Sequence, residues 1–115
     1  DISGTWTYSS QSTRGETAMV YIMSLEPGGR LTMQQVVPGF TKYFAGRWGF
    51  DGTTLQYVFD DYEPKQDCGQ GFCYPIPPGF PIGQVYTQQP RFTTPDSFEL
   101  MDASGPLLWV RNPNR

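Results

Sequence analysis

The sequence contains no histidine. The side chain that most often serves as a general base near neutral pH is therefore missing. So is the commonest nitrogen ligand of zinc. No Gly-x-Ser-x-Gly elbow occurs, and no Gly-rich phosphate loop leads into a helix. Carboxylates are present, but no spacing pairs two of them as a glycosidase requires. Cysteine is limited to Cys68 and Cys73, two ligands short of a zinc site. Cationic residues are scarce: 8 Lys and Arg against 11 Asp and Glu give a formal net charge of −3. That excludes nucleic acid as an expected partner, because such binding rests on Lys and Arg neutralising phosphates. No apolar run reaches the roughly 18 residues a membrane-spanning helix needs. These absences point away from an enzyme, a metal site or a cofactor, and toward a protein that works by binding.

What is present is aromatic and turn-rich. Of 115 residues, 16% are aromatic, with 13 Gly and 11 Pro. Long helices are disfavoured, and one domain over 1–115 has room for a modest core built from large rings. The chain is organised around residues 46–59, Gly-Arg-Trp-Gly-Phe-Asp-Gly-Thr-Thr-Leu-Gln-Tyr-Val-Phe. Asp51-Gly52 between alternating apolar runs predicts a hairpin with a type I′ turn, which needs positive φ at both central residues. Trp48 and Phe50 share one face of the first strand; Leu55, Tyr57 and Phe59 share one face of the second. The opening Gly4-Thr5-Trp6-Thr7-Tyr8 echoes Gly46-Arg47-Trp48-Gly49-Phe50.

Taken in order, residues 3–10 read as a strand with Trp6 and Tyr8 on one face, followed by a polar turn over 11–15. Residues 16–26 put Met19, Tyr21, Met23 and Leu25 on one face and Ala18, Val20 and Ile22 on the other. Two apolar faces predict a core side and a side that is covered or shared with a partner, a homodimer among the options. Pro27-Gly28-Gly29-Arg30 is a turn. Residues 31–37 alternate again and stop at Pro38-Gly39. The central hairpin occupies 42–50 and 53–60. Residues 82–88 resume as strand, anchored by Ile82 and Val85. Strands at 91–94 and 97–101 flank Pro95-Asp96, and 106–111 close the chain before a frayed tail. Sequential short strands make a meander. The expected fold is all-β, an eight-stranded up-and-down antiparallel meander closed as a small barrel, which removes exposed edges. A two-sheet sandwich is the alternative.

Residues 61–81 break the rhythm. Proline density favours extended backbone there, and so long a connection in a compact domain is functional or disordered as a rule. Cys68 and Cys73 sit inside it with four residues between them, two of them glycine, within reach of a disulfide. An even cysteine count in a small loop-rich chain predicts an oxidised pair and an exported protein, periplasmic or extracellular. Two free thiols in a cytosolic protein is the alternative.

Gly4-Thr5-Trp6 resembles the Gly-x-Trp signature of the calycin group: lipocalins, fatty-acid-binding proteins and avidins. The order GTW, a Gly-Gly turn, Gly-Arg-Trp and Asp-Gly-Thr-Thr-Leu further resembles small bacterial lipocalin-like domains of exported proteins. The resemblance covers 3–60 and, more loosely, 106–111. It implies that Trp6 closes one barrel end and that Arg111, in Trp109-Val110-Arg111, packs across its ring and bonds nearby backbone. That pair is structural. The chain departs from a full lipocalin in its length, in lacking a carboxy-terminal helix and in inserting the proline-rich loop.

Two binding sites follow as expectations. Tyr62, Phe72, Tyr74, Ile76 and Phe80 offer rings and an aliphatic group for another protein, held in place by prolines and the cysteine bridge. The same loop folded as a flap over a barrel mouth is the structural alternative. Met19, Tyr21, Met23, Met33 and Tyr57 would line an interior pocket for a small apolar ligand, or simply fill the core. Asp60, Asp61, Glu63 and Asp67 read as a solvated acidic rim that steers a basic partner, rather than a calcium site. The leading reading is a protein-interaction module of the bacterial envelope, of inhibitor or immunity type. The alternative is a carrier of a small hydrophobic ligand.

Overall fold

The computed structural model describes residues 2–11, 17–37, 39–102 and 105–112. Of the turn expected at 11–15, Gln11 ends the first strand and residues 12–15 lie outside the described residues, as do Pro38, residues 113–115 and the side chain of Ala18. Eleven strands follow in chain order: β1 Gly4–Gln11, β2 Thr17–Leu25, β3 Arg30–Val37, β4 Phe40–Phe50, β5 Leu55–Glu63, β6 Gln66–Gly69, β7 Phe72–Pro75, β8 Val85–Gln88, β9 Arg91–Thr94, β10 Ser97–Asp102 and β11 Gly105–Arg111. Nine form one antiparallel sheet in the order β8-β5-β4-β3-β2-β1-β11-β10-β9, and β6 and β7 pair only with each other. The expected all-β meander is present; β6 and β7 are added inside 61–81, and the strand expected over 82–88 is confined to Val85–Gln88.

The large sheet is curled into a half-barrel. Its end strands, β8 and β9, are consecutive in the chain, with only Gln89 and Pro90 between them. Three Cα–Cα steps of about 3.8 Å bring the two ends of the sheet within about 11 Å there. The Gln88 side chain spans the gap. Its amide donates to the Met101 carbonyl of β10 at 2.8 Å, and its carbonyl accepts the Tyr57 hydroxyl of β5 at 3.0 Å. No ladder joins β8 to β9 among the described residues.

Period-two alternation fills the concave face. Leu25 pairs with Leu31, Met23 with Met33 and Phe98 with Trp109. Together with Ile2, Trp6, Phe44, Leu55, Phe59 and Leu100 they form the buried core. One break in the alternation is decisive. Ala45 pairs with Asp61 but Gly46 pairs with Phe59, so Asp60 is an extra residue, a β-bulge. Before the bulge Leu55, Tyr57 and Phe59 face the core; after it Tyr62 does. Gly46 makes the bulge possible: a Cβ there would lie 1.8 Å from the Val58 carbonyl oxygen.

The two glycine turns divide differently from expectation. Phe50 pairs with Leu55, so Asp51–Thr54 is a four-residue loop. Asp51 Oδ1 accepts the Thr53 and Thr54 amides at 2.9 and 2.7 Å, and these bonds hold its carboxyl below the ordinary range. Only Gly52 of the expected pair has positive φ, at 98°. The side chain of Asp51 caps the loop itself, which removes the need for the I′ backbone. That backbone occurs instead at Gln70-Gly71, with φ of 53° and 83°, between the paired Gly69 and Phe72.

At one end of the curl, Trp6 is fully buried and opposite Arg111 in the ladder. The guanidinium carbon lies 4.3 Å from the ring centroid. The guanidinium donates to the Ser3 carbonyl at 2.7 Å and to Asp96 at 3.0 Å. Gly4 has φ of 130°, and a Cβ there would stand 2.6 Å from Arg111 Nη1. The Gly-Gly turn and Gly-Arg-Trp also meet, because the Trp48 amide donates to Gly29 O and its indole to Glu26 O, both at 2.9 Å.

Candidate binding sites

The 61–81 excursion is ordered and has two parts with opposite fates. Residues 66–75 are an arm. β6 and β7 are exposed at every position. A two-stranded hairpin alone is marginal in water. This one is closed by the disulfide between Cys68 and Cys73, which are cross-strand partners. Tyr74 stands opposite Asp67 and Phe72 opposite Gly69, so these four share one face and the disulfide takes the other. Phe72 and Tyr74 are each 65% exposed, with ring centroids 6.5 Å apart.

Residues 76–80 are a strap that returns to the sheet. The Ile76 amide donates to Lys65 O at 2.8 Å, and Ile76 O accepts the Tyr62 hydroxyl at 2.7 Å. Lys42 Nζ donates to Pro77 O at 2.7 Å and to Pro78 O at 3.3 Å. The strap ends with Phe80 turned inward, 5.3 Å from Phe44 and 5.5 Å from Phe59 between ring centroids. Of the five residues expected to form one partner surface, the structure groups Phe72 and Tyr74 on the arm. Tyr62 and Phe80 pack on the core, and Ile76 is half-buried at the junction. Arm and strap are thus consecutive parts of one stretch of chain.

A cavity of about 220 Å³ lies behind the strap. Tyr21, Met23, Met33 and Tyr57 line it together with Phe80, Tyr86, Gln88 and Trp109. Met19 does not line it; it lies beside Gln35, whose side-chain amide is 3.2 Å from its sulfur. Tyr57 and Tyr86 stack at 5.1 Å. Burial, and secondarily the neighbouring Tyr86, push the Tyr57 hydroxyl up to about 12, so it stays neutral and donates to Gln88. The Trp109 indole N–H is buried without a hydrogen-bond partner among the described residues. Lys42, Tyr86, Gln88 and Trp109 were not singled out from the sequence. Alternation over 82–88 carries Tyr86 and Gln88 inward, whereas Ile82 and Val85, expected as anchors, are 39% and 60% exposed.

The acidic residues do not converge. Asp60 is held below the usual carboxylate range by hydrogen bonds from Arg47. Asp61 is lowered by Lys65 and by the Tyr62 amide. Both pairs are exposed, so each contributes little to stability. No group of three or more metal-binding side chains is found among the described residues. No family model matches the sequence, and no curated protein or solved structure matches the chain.

Proposed function

We propose that this chain is an exported, non-enzymatic, lipocalin-like barrel that binds another protein with its arm. The observation that carries the reading is the pair Phe72 and Tyr74, 65% exposed on a hairpin that a disulfide pre-forms. Adjacent exposed rings on one face form an apolar patch of the kind that marks an interaction surface. A stapled hairpin presents them at low entropic cost, and aromatic anchors dominate binding energy at protein interfaces. On this reading the chain acts as an inhibitor or immunity protein of the bacterial envelope. Export is supported by the disulfide; no helix of the described residues is long and apolar enough to cross a membrane. Barrel closure follows if β8 and β9 act as one bent strand that pairs first with β5 and then with β10. Counted so, the barrel has eight strands.

Photo-crosslinking tests this. A benzophenone amino acid replaces Tyr74 in one variant and Leu108, exposed on β11, in another, and both are illuminated in the native host. The expected result is one discrete protein adduct from position 74 and none from position 108. Adducts that are absent, or equal at both positions, remove the arm as a binding element.

A second reading rests on its own observation, the unpartnered Trp109 N–H beside the cavity. A buried donor without an acceptor costs about 1–3 kcal/mol. A small flat apolar molecule with one acceptor atom would satisfy it. Cavities near 150 Å³ hold benzene, so 220 Å³ suits a ligand of one or two rings. Native mass spectrometry of the purified protein should then show a bound mass that Trp109→Phe loses. A bare mass for the unmodified protein removes this reading.

A further inference from the structure

The formal charge of this protein is segregated. Asp60, Asp61, Glu63 and Asp67 against Lys65 leave residues 60–67 at −3, the whole of the chain's formal net charge. Elsewhere seven acids meet seven bases. Those eight residues are the end of β5 and the start of the arm. Within them Asp60 is bonded to Arg47 and Asp61 to Lys65. Neither Glu63 nor Asp67 takes part in an ion pair among the described residues.

These two carboxylates share a setting. Asp67 stands directly opposite Tyr74 on one face of the arm. Glu63 stands directly opposite Tyr43 across β4 and β5. Both tyrosines are exposed, at 65% and 49%. Directly opposed side chains place their Cβ atoms about 5 Å apart. Twice, then, an exposed ring and a carboxylate sit side by side. The second pair lines a groove of about 420 Å³ at the root of the arm, together with Ile22, Gln34 and Asp61. A ring face attracts a cation through its quadrupole, and an adjacent carboxylate gives the same cation a charge-assisted hydrogen bond. Lys and Arg side chains meet both demands at once.

Resting on the arm-binding reading above, we propose that the arm and its root groove take a basic segment of a partner protein. Lys or Arg side chains lie over Tyr74 and Tyr43, each bonded to Asp67 or Glu63. The carboxylates are not themselves the site; they select what covers the exposed rings. An anionic bilayer, the other surface that takes up aromatic tips, is repelled by a segment carrying −3.

The test pans a phage library of random twelve-residue peptides against the intact oxidised protein, with the Phe72→Ala/Tyr74→Ala variant as counter-selection. All changes are at exposed positions and leave the core and disulfide intact. Peptides that the parent retains and the variant loses are expected to be rich in Lys and Arg relative to the library. For such a peptide, Asp67→Asn with Glu63→Gln should weaken binding by about ten-fold at low salt, because each bonded cation loses its charged partner. Arm-dependent peptides without cationic enrichment overturn the proposal and leave the arm reading standing. Peptides that bind the variant equally, or no enrichment at all, overturn both. Binding to phosphatidylglycerol vesicles that depends on Phe72 and Tyr74 overturns the choice of partner.

Discussion

The protein holds two hairpins written in the same local grammar and stabilised by different means. In β4–β5, alternating rings flank Asp51-Gly52 on both sides; in β6–β7, the alternating rings Phe72 and Tyr74 follow Gln70-Gly71. The first spans eleven and nine residues. It lies inside the sheet and buries Phe44, Leu55 and Phe59. The second spans four and four residues, pairs with nothing else and buries no side chain. Hydrophobic burial holds the first in place, whereas a covalent bond between Cys68 and Cys73 closes the second. Such a bond acts by restricting the unfolded chain, so it needs no core. That frees the rings of the second hairpin for a partner.

The contrast is broken most directly by truncating one ring in each hairpin. Phe59→Ala should destabilise the fold by about 3–5 kcal/mol, the usual range for a buried Phe. Tyr74→Ala should change it by less than about 0.5 kcal/mol. Urea titrations of both variants check this, and similar losses would mean that the arm belongs to the core.

Tyr57, on the first hairpin, sharpens the point through pH. Its hydroxyl is raised to about 12 in the fold, against about 10 in an unfolded chain. The contribution of a raised group is fully present below pH 10 and is lost as pH climbs through 12. Parent stability should therefore fall by about 2 kcal/mol more than that of Tyr57→Phe between pH 9 and pH 12. Parallel pH curves for the two proteins would contradict the desolvated setting of Tyr57.

The closed end tests whether a polar contact can join the buried side of the comparison. Arg111→Ala removes the guanidinium over Trp6 and its bonds to Ser3 O and Asp96. A loss of about 1–2 kcal/mol is expected from typical cation–π and hydrogen-bond contributions. An unchanged melting curve would make the contact incidental.

The smallest global effect belongs to the disulfide. Replacing both Cys68 and Cys73 by Ser should leave the unfolding midpoint of the sheet within the equivalent of about 0.5 kcal/mol. Amide exchange at 66–75 should meanwhile accelerate to the rate of an unprotected chain. A large drop in global stability would show that the arm braces the sheet through the strap.

Much of this was legible in the residues. Alternation grouped Trp6 with Tyr8, Met23 with Leu25, and Leu55 with Phe59 on shared faces, and the sheet buries Trp6, Met23, Leu25, Leu55 and Phe59. The Gly-x-Trp resemblance implied the Arg111 contact, which is present. The end of β5 was missed because the bulge at Asp60 reverses the alternation, so a strand continuing to Glu63 reads as irregular chain. The strand pairing within the arm was missed because four-residue strands centred on Cys, Gly and Pro carry too little pattern to count. The expected partner surface was treated as one unit, yet its rings separate, Phe72 and Tyr74 outward and Phe80 inward.

By itself the sequence determined which faces are apolar, where the chain turns, and that its two cysteines could meet across a short loop. Those are local properties, set by side-chain period, glycine conformations and chain length between cysteines. Only the tertiary structure decided which apolar faces find a surface to cover them. It brought Gln88 across the gap between the sheet's ends, and it formed the cavity behind Phe80. It also carried Asp67 to Tyr74 and Glu63 to Tyr43. Burial and cross-strand pairing join residues far apart in the chain, and a period of two says which side a residue faces without saying what it will meet there.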